Sequence, residues 1–263
     1  MGILARVLFI SFTGLLTMVA PALAKDLRFS ADRVLLDGVV GTVEIHPGSS
    51  TETHVDVQEP TDFKNRLKIE SAGSTLRIAE LSSRSGHSSQ ISTGSIVNIA
   101  EGPGSVSVVN IGGNTVTAND PPIRLSITLA KGCDVELKGL VGDVAIGSIG
   151  GALRGDANGA YRIRAQALGG ISLRMAGSGT LDIEKIRGDV SLQIAGSSQA
   201  TIKHGDIGNL SIVASGASVA RIEPLANVAK VEASGASEVF LQGAKSPPQL
   251  ERSGAAEIHI GRE

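Results

Sequence analysis

The sequence predicts an all-β solenoid, in which short strands stack coil upon coil. The first observation is a repeat of 19, 20, 19 and 19 residues between five glycines: Gly177, Gly196, Gly216, Gly235 and Gly254. The second is an alternation of apolar and polar residues on both sides of each glycine. A constant period of about 20 residues is typical of solenoids, because a single coil cannot bury its own apolar face.

Each coil is predicted to contain two strands. Leu210 and Ile212 lie six and four positions before Gly216, and Ala220 and Ile222 lie four and six positions after it. Alternation at period two places one side of each strand inward and the other side in water. Helical periodicity is absent from these segments.

The glycines are predicted to be structural corner residues. Their surroundings are small, as in Ser215-Gly216-Ala217-Ser218, and only small residues let successive backbones turn sharply at a strand spacing of about 4.8 Å. A phosphate-binding loop is the alternative. It is disfavoured because no helix pattern follows any of these corners.

A second turn and an end signal complete the repeat. Gly188-Asp189 and Gly208-Asn209 are turn sequences; a calcium-binding Asp ladder is the less favoured interpretation. Pro247-Pro248 opens the last segment in place of a regular strand. We therefore expect a terminal cap there, with prolines that disfavour end-to-end pairing.

The N-terminus predicts export. Residues 1–24 carry Arg6, an apolar run over residues 7–19 and the sequence Ala22-Leu23-Ala24. That run is short for a membrane span, so we expect a signal peptide cleaved after Ala24. The mature protein is then expected in the periplasm or at the cell surface, not as an integral membrane protein.

Composition divides the mature chain into three regions. Residues 25–81 show alternating runs separated by turn signals and predict an antiparallel β entry or cap region. Residues 82–122 are rich in Ser and Gly and predict a flexible insertion. Residues 123–263 are predicted to form the parallel stack with its terminal cap.

Charge and ligand residues exclude several functions. A net charge of −2 without a basic cluster argues against nucleic-acid binding. The five histidines are scattered, so no metal site and no cofactor are expected. The single cysteine, Cys133, is interpreted as a buried thiol, with an intermolecular disulfide as the alternative.

The chain resembles the auto-transporter adhesin head domain family, also called the GIN domain. The resemblance rests on the entry pattern through residues 33–38, 43–48, 55–57 and 76–78, on the Ser/Ala-Gly-Ser/Ala corners, and on the closing segments 247–250 and 253–255. It implies a single-stranded right-handed parallel β-helix with antiparallel entry strands, in an exported bacterial envelope protein. It assigns no catalytic residue, and it does not extend to the Ser/Gly insertion.

The favoured function is a non-catalytic binding, adhesion-like or structural module of the bacterial cell envelope, with a protein or polysaccharide partner. Outward residues are expected to form two ladders: Asp182, Thr201, Arg221, Phe240 and His259, and beside them Glu184, Lys203, Glu223 and Gln242. Such ladders also arise on a face that merely holds its own register. The alternative function is a polysaccharide lyase or hydrolase, which requires facing carboxylates and is disfavoured by the absence of Trp.

Overall fold

The computed structural model describes residues 25–59, 66–81, 108–111, 114–117 and 122–261. In these residues the protein is all-β, with a parallel solenoid of about seven turns and antiparallel entry strands. The predicted fold class is thereby confirmed. The expected signal peptide and most of the Ser/Gly-rich insertion lie outside the described residues, so both remain predictions.

Nineteen strands make up this part of the chain. The first eleven are β1 (Lys25–Phe29), β2 (Arg33–Asp37), β3 (Val40–Pro47), β4 (Thr53–Glu59), β5 (Leu67–Ala72), β6 (Thr75–Glu80), β7 (Val108–Ile111), β8 (Asn114–Thr117), β9 (Ile123–Leu129), β10 (Asp134–Lys138) and β11 (Val141–Ser148). The others are β12 (Ala152–Leu168), β13 (Gly170–Ile194), β14 (Gln199–Ala214), β15 (Val219–Ile222), β16 (Ala226–Ala233), β17 (Glu238–Leu241), β18 (Gln249–Arg252) and β19 (Glu257–Ile260).

The solenoid has two sheet faces, and the long strands β12, β13 and β14 turn corners to contribute to both. On the first face Leu153 pairs with Ile171, and on the second face Ile163 pairs with Leu181. Later coils continue the second face, where Ala200 pairs with Ala220 and Val239 with Ile258. The two members of each pair are one repeat apart in the sequence, as the glycine period predicts.

The N-terminal strands β2 and β3 form a coil inside the stack. Val34 of β2 pairs in parallel with Val135 and with Leu76, so β2 lies between β10 and β6. In the same way β3 lies between β11 and β9. The expected antiparallel entry strands are β1, β4 and β5, since β1 pairs with β4, β4 with β9, and β5 with β6. Alternation alone does not distinguish these directions, because it is the same in parallel and antiparallel strands.

Inward side chains form continuous apolar columns, and every member is at most 3% exposed. The first-face column contains Leu76, Val34, Val135, Leu153, Ile171, Val190, Leu210 and Ala229. The second-face column contains Leu125, Val43, Val144, Ile163, Leu181, Ala200, Ala220 and Val239. Burying each of the larger side chains contributes about 1.5 to 3 kcal/mol before the loss of conformational entropy is subtracted.

A separate column of buried residues follows the corner between the two faces. Tyr161 is buried there and stacks on Gly179, with Ser198 in the next coil. The Tyr161 hydroxyl lies 3.4 Å from Ser198 Oγ, so the phenol reaches across the intervening coil. A Cβ on Gly179 would overlap the Tyr161 ring. The aromatic ring therefore needs a glycine in the coil above it.

The five predicted corner glycines have φ between 71° and 94°. At Gly216 φ is 76°, and a Cβ there would lie 2.8 Å from the carbonyl oxygen of Gly196 in the preceding coil. Ala217 N–H donates to that same oxygen at 2.9 Å. The corner thus combines a left-handed backbone with close stacking, and both require glycine.

β7 and β8 pair antiparallel in a small sheet of their own within the Ser/Gly-rich insertion.

Across the described ranges, no helix has the length and apolar character needed to cross a membrane.

Candidate functional site

The outer surface of the second face carries two neighbouring ladders of polar side chains, which we call the outer ladder surface. The first ladder contains Glu44, Ala145, Arg164, Asp182, Thr201, Arg221, Phe240 and His259. The second lies two residues further along the same strands and contains His46, Gly147, Gln166, Glu184, Lys203, Glu223 and Gln242. Their members point outward because the residues between them line the core.

The structure confirms the predicted register of the first ladder. Asp182 pairs with Thr201, Thr201 with Arg221, Arg221 with Phe240, and Phe240 with His259. It also extends this ladder to Glu44 on β3, which is distant in sequence from the repeat. The surface therefore combines side chains from the N-terminal coil with side chains from the repeat.

An ion pair joins adjacent coils in the second ladder. Lys203 Nζ donates to Glu184 Oε2 at 2.9 Å, and His204 Nε2 lies 3.6 Å from Glu184 Oε1. The hydrogen bond from Lys203 lowers the pKa of Glu184, and the same bond raises the pKa of Lys203. Both groups are exposed, so the pair contributes little to stability and mainly holds the two side chains in place.

An aromatic stack occupies the C-terminal end of the first ladder. The Arg221 guanidinium carbon lies 4.3 Å from the centre of the Phe240 ring. The His259 ring stacks on Phe240 with centroids 4.7 Å apart and planes 11° from parallel. A stack of this kind keeps three long side chains extended across the surface of three coils.

Beside this stack lies a groove of about 880 Å³. It follows the turns that lead from the second face back to the first, and its walls include Arg221, Phe240, Asp206, Glu223, Gln242 and Lys245. Leu225, which is 49% exposed, also lines it. The groove thus offers hydrogen-bond donors, hydrogen-bond acceptors and an apolar side chain along one line.

A smaller notch of about 420 Å³ lies further toward the N-terminal coils. It forms where small residues, Ala145 and Gly147, interrupt both ladders. Glu44 and His46 stand on one side of it, and Arg164 and Gln166 on the other. Since the walls are two strand spacings apart, the opening is about 10 Å across.

Potential metal-ligating residues do not cluster in the described part of the chain. Within the described ranges no three His, Cys, Asp or Glu side chains are placed to share a metal ion. The turn residue Asp189 accepts hydrogen bonds from the backbone N–H of Asn209 at 2.8 Å and from the Asn209 side-chain amide at 3.2 Å. It therefore holds the turn of the next coil in shape.

Cys133 is buried, with 2% of its surface exposed. Burial raises the pKa of its thiol to about 11. The thiol therefore stays protonated at neutral pH, which makes it a poor nucleophile and a poor metal ligand.

The ladders follow from the repeat period, but the groove does not. The 19-residue spacing of Phe240 and His259 predicts that both lie on one line. The groove depends on turns of unequal length, and the register between β13 and β14 shifts at Gly188. Such a local irregularity has no signature in a pattern that is read coil by coil.

Neither the family models nor the curated proteins contain a match to this chain. Several solved structures are similar to this chain. One is a "putative adhesin" from Bacteroides fragilis, with 12% identity over 90% of this chain and 96% of that chain, and a TM-score of 0.37. Another is a "putative cell adhesion protein" from Clostridium sporogenes, with 16% identity over 90% of this chain and 98% of that chain, and a TM-score of 0.28.

A third is a "putative lipid binding protein" from Parabacteroides distasonis. It has 14% identity over 91% of this chain and 94% of that chain, with a TM-score of 0.31. The identities and TM-scores of these three structures are low. The fold of this chain is therefore described from its own strand registers, and its function is inferred from the side chains on its own surface.

Proposed function

We propose that this protein is a non-catalytic binding module of the bacterial cell envelope, which holds an extended polymer against its outer ladder surface. The observation that carries the proposal is the groove beside the Arg221, Phe240 and His259 stack. Its volume of about 880 Å³ lies within the range of known ligand sites, which is about 300 to 1,000 Å³.

The side chains of this surface suit a polysaccharide. A sugar polymer carries many hydroxyl groups, and positioned polar side chains in a ligand site fix the orientation of such a ligand through hydrogen bonds. Glu223, Gln242 and Lys245 supply such donors and acceptors in the groove, and Arg221 adds a charge that suits an acidic sugar. Stacking and ion pairing between coils hold neighbouring side chains in place, which lowers the entropy cost of binding.

The ion pair at Glu184 suits binding better than hydrolysis. A glycosidase needs a carboxylic acid whose pKa is raised, so that it can donate a proton to the leaving sugar. Glu184 shows the opposite, because Lys203 lowers its pKa and keeps it ionised. An ionised carboxylate held by a lysine is suited to accepting hydrogen bonds from hydroxyl groups.

The test is retention on immobilised polymers, with the full chain purified as the cell exports it. The probes are peptidoglycan sacculi, polygalacturonate as an acidic polysaccharide, and dextran as a neutral one. We expect retention on at least one of them, and we expect Arg221→Gln combined with Lys245→Gln to weaken it about tenfold. Arg174→Gln, at an exposed position on the opposite face, is the matched control and should leave retention unchanged.

Three results would overturn the proposal. The first is the absence of retention on every probe. The second is equal retention by the groove variant and the control variant. The third is release of reducing or unsaturated sugar during incubation, which would instead support the polysaccharide-degrading alternative.

A further inference from the structure

The last coil of the solenoid exposes side chains that point inward. Leu250 is 42% exposed and Ile260 is 46% exposed. Their partners in the preceding coil, Val231 and Leu241, are at most 3% exposed. The apolar columns of the core therefore reach the C-terminal end of the described residues and open to solvent there.

Exposed inward-pointing side chains are a property of this last coil. Among the described residues six large hydrophobic side chains are exposed, and two of them, Leu250 and Ile260, lie in this coil at positions that are buried in the coil before it. Apolar side chains that are aligned with a buried column but left in water favour the docking of a further layer.

The backbone at this end is also open. Glu257 N–H and Gly261 N–H donate to the preceding coil, at 2.9 and 3.0 Å. Because successive residues of a strand direct their backbone groups to opposite sides, the N–H and C=O groups of Ile258 and Ile260 point to the open edge. Within the described residues, β18 pairs with β16 alone and β19 with β17 alone.

We propose that a second copy of this chain covers this end, with the β19 strands of the two copies paired antiparallel about a two-fold axis at Ile258. Antiparallel pairing about Ile258 joins the two Ile258 residues through their edge-facing backbone groups. It also sets Glu257 opposite His259 of the partner subunit, in the closely spaced type of cross-strand pair. Within one chain the same two side chains lie 3.1 Å apart, from His259 Nε2 to Glu257 Oε2, so pairing across the axis brings two such contacts side by side. No acidic side chain faces another acidic side chain across the two β19 strands in this register, so the edge is complementary to itself.

A second copy fits the coil better than an isolated strand does. Both faces of the last coil are open, and the same two-fold rotation places the β18 edges of the two copies against each other, so that Leu250 and Ile260 both face the partner. Pro247 and Pro248 were expected to disfavour end-to-end pairing, but both precede β18 and lie outside the two last strands, so they leave the β19 edge free to pair. In this arrangement each copy supplies the cap of the other.

The two-fold arrangement also closes the assembly. The N-terminal end of the solenoid is formed by the antiparallel entry strands β1, β4 and β5. A head-to-tail contact between that end and β19 would repeat without limit and produce fibres. The isologous contact stops at a dimer.

The test is sedimentation velocity on the full chain purified as the cell exports it, from about 1 to 100 µM. We expect a dimer. Ile258→Pro removes an N–H that points to the open edge and not to β17, so the pairing of β19 with β17 should be kept, and the far-ultraviolet circular dichroism spectrum of the variant should match that of the parent protein. Its dimer dissociation constant should rise more than tenfold.

A charge exchange tests the register and does not depend on proline. Glu257→Lys alone replaces the carboxylate that accepts a hydrogen bond from His259 of the partner subunit with a donor and should weaken the dimer about tenfold. Glu257→Lys combined with His259→Glu should restore it. A monomer at the highest concentration, a series of species larger than a dimer, or a double variant as weak as the single one would each overturn the proposal.

Discussion

At the scale of single residues, the corner glycines show how closely the coils approach each other. Gly216 has a left-handed backbone, and a Cβ at this position would lie 2.8 Å from the Gly196 carbonyl oxygen. Gly132 has nearly the same backbone, with φ of 78°, but open space around the position of a Cβ. A substitution at Gly132 therefore measures the free-energy cost of the left-handed conformation alone, whereas one at Gly216 measures that cost together with the cost of the clash between coils.

We expect Gly216→Ala to lower the free energy of unfolding by about 2 to 4 kcal/mol, because it combines left-handed strain with a clash against backbone. Gly132→Ala is the control, and it should cost only about 1 to 2 kcal/mol, which is the effect of the conformation alone. Urea unfolding of both variants measures the difference. Equal losses of unfolding free energy in the two variants would contradict the prediction, because they would show that the coils can move apart at Gly216 without a further cost.

At the scale of elements, neighbouring strands are coupled through side chains that reach beyond the adjacent coil. Tyr161 on β12 covers Gly179 on β13 and approaches Ser198 in the following coil. The burial of its ring raises the pKa of the phenol above its ordinary value. One aromatic side chain thus links three successive coils at the corner.

This coupling predicts a non-additive pair of substitutions. Gly179→Ala should destabilise the protein by about 1 to 3 kcal/mol, because its methyl group overlaps the Tyr161 ring. In a Tyr161→Ala background the same substitution should cost less by about 1 kcal/mol or more, since the ring is absent. Thermal or urea unfolding of the four proteins gives the coupling energy. Additive losses would contradict the stacked arrangement.

At the scale of the whole molecule, the order of coils along the stack differs from their order along the chain. The β2 and β3 coil lies between the coil of β6 and β9 and the coil of β10 and β11. Val34 pairs with Val135, far along the chain, whereas Leu181 pairs with its equivalent in the next repeat, Ala200. For loops of about 100 and about 20 residues, closing the longer one costs about 1.5 kcal/mol more.

We therefore expect the repeat to fold before the N-terminal coil docks on it. In pulsed hydrogen exchange during refolding, amides of residues 170–233 should gain protection about tenfold faster than amides of residues 33–47. Both segments are read from the same sample by mass spectrometry, so each serves as the reference for the other. Simultaneous protection, or earlier protection of the N-terminal coil, would contradict this order.

The sequence by itself determined the coil and its outward ladders. A constant period, alternation and small corners are local properties, and they sufficed to align Asp182 with Thr201 and Phe240 with His259. These predictions succeeded because each residue of a regular repeat pairs with its equivalent in the next coil.

Only the tertiary structure decided where the N-terminal coil enters the stack, where the groove opens and which end is left uncovered. Alternation is the same whichever strand lies alongside, so it did not reveal that β2 pairs with both β6 and β10. The groove arises from unequal turns, and the exposure of Leu250 and Ile260 arises from the absence of a further coil over them among the described residues. Both depend on which segments become neighbours in space, which a pattern along the chain does not encode.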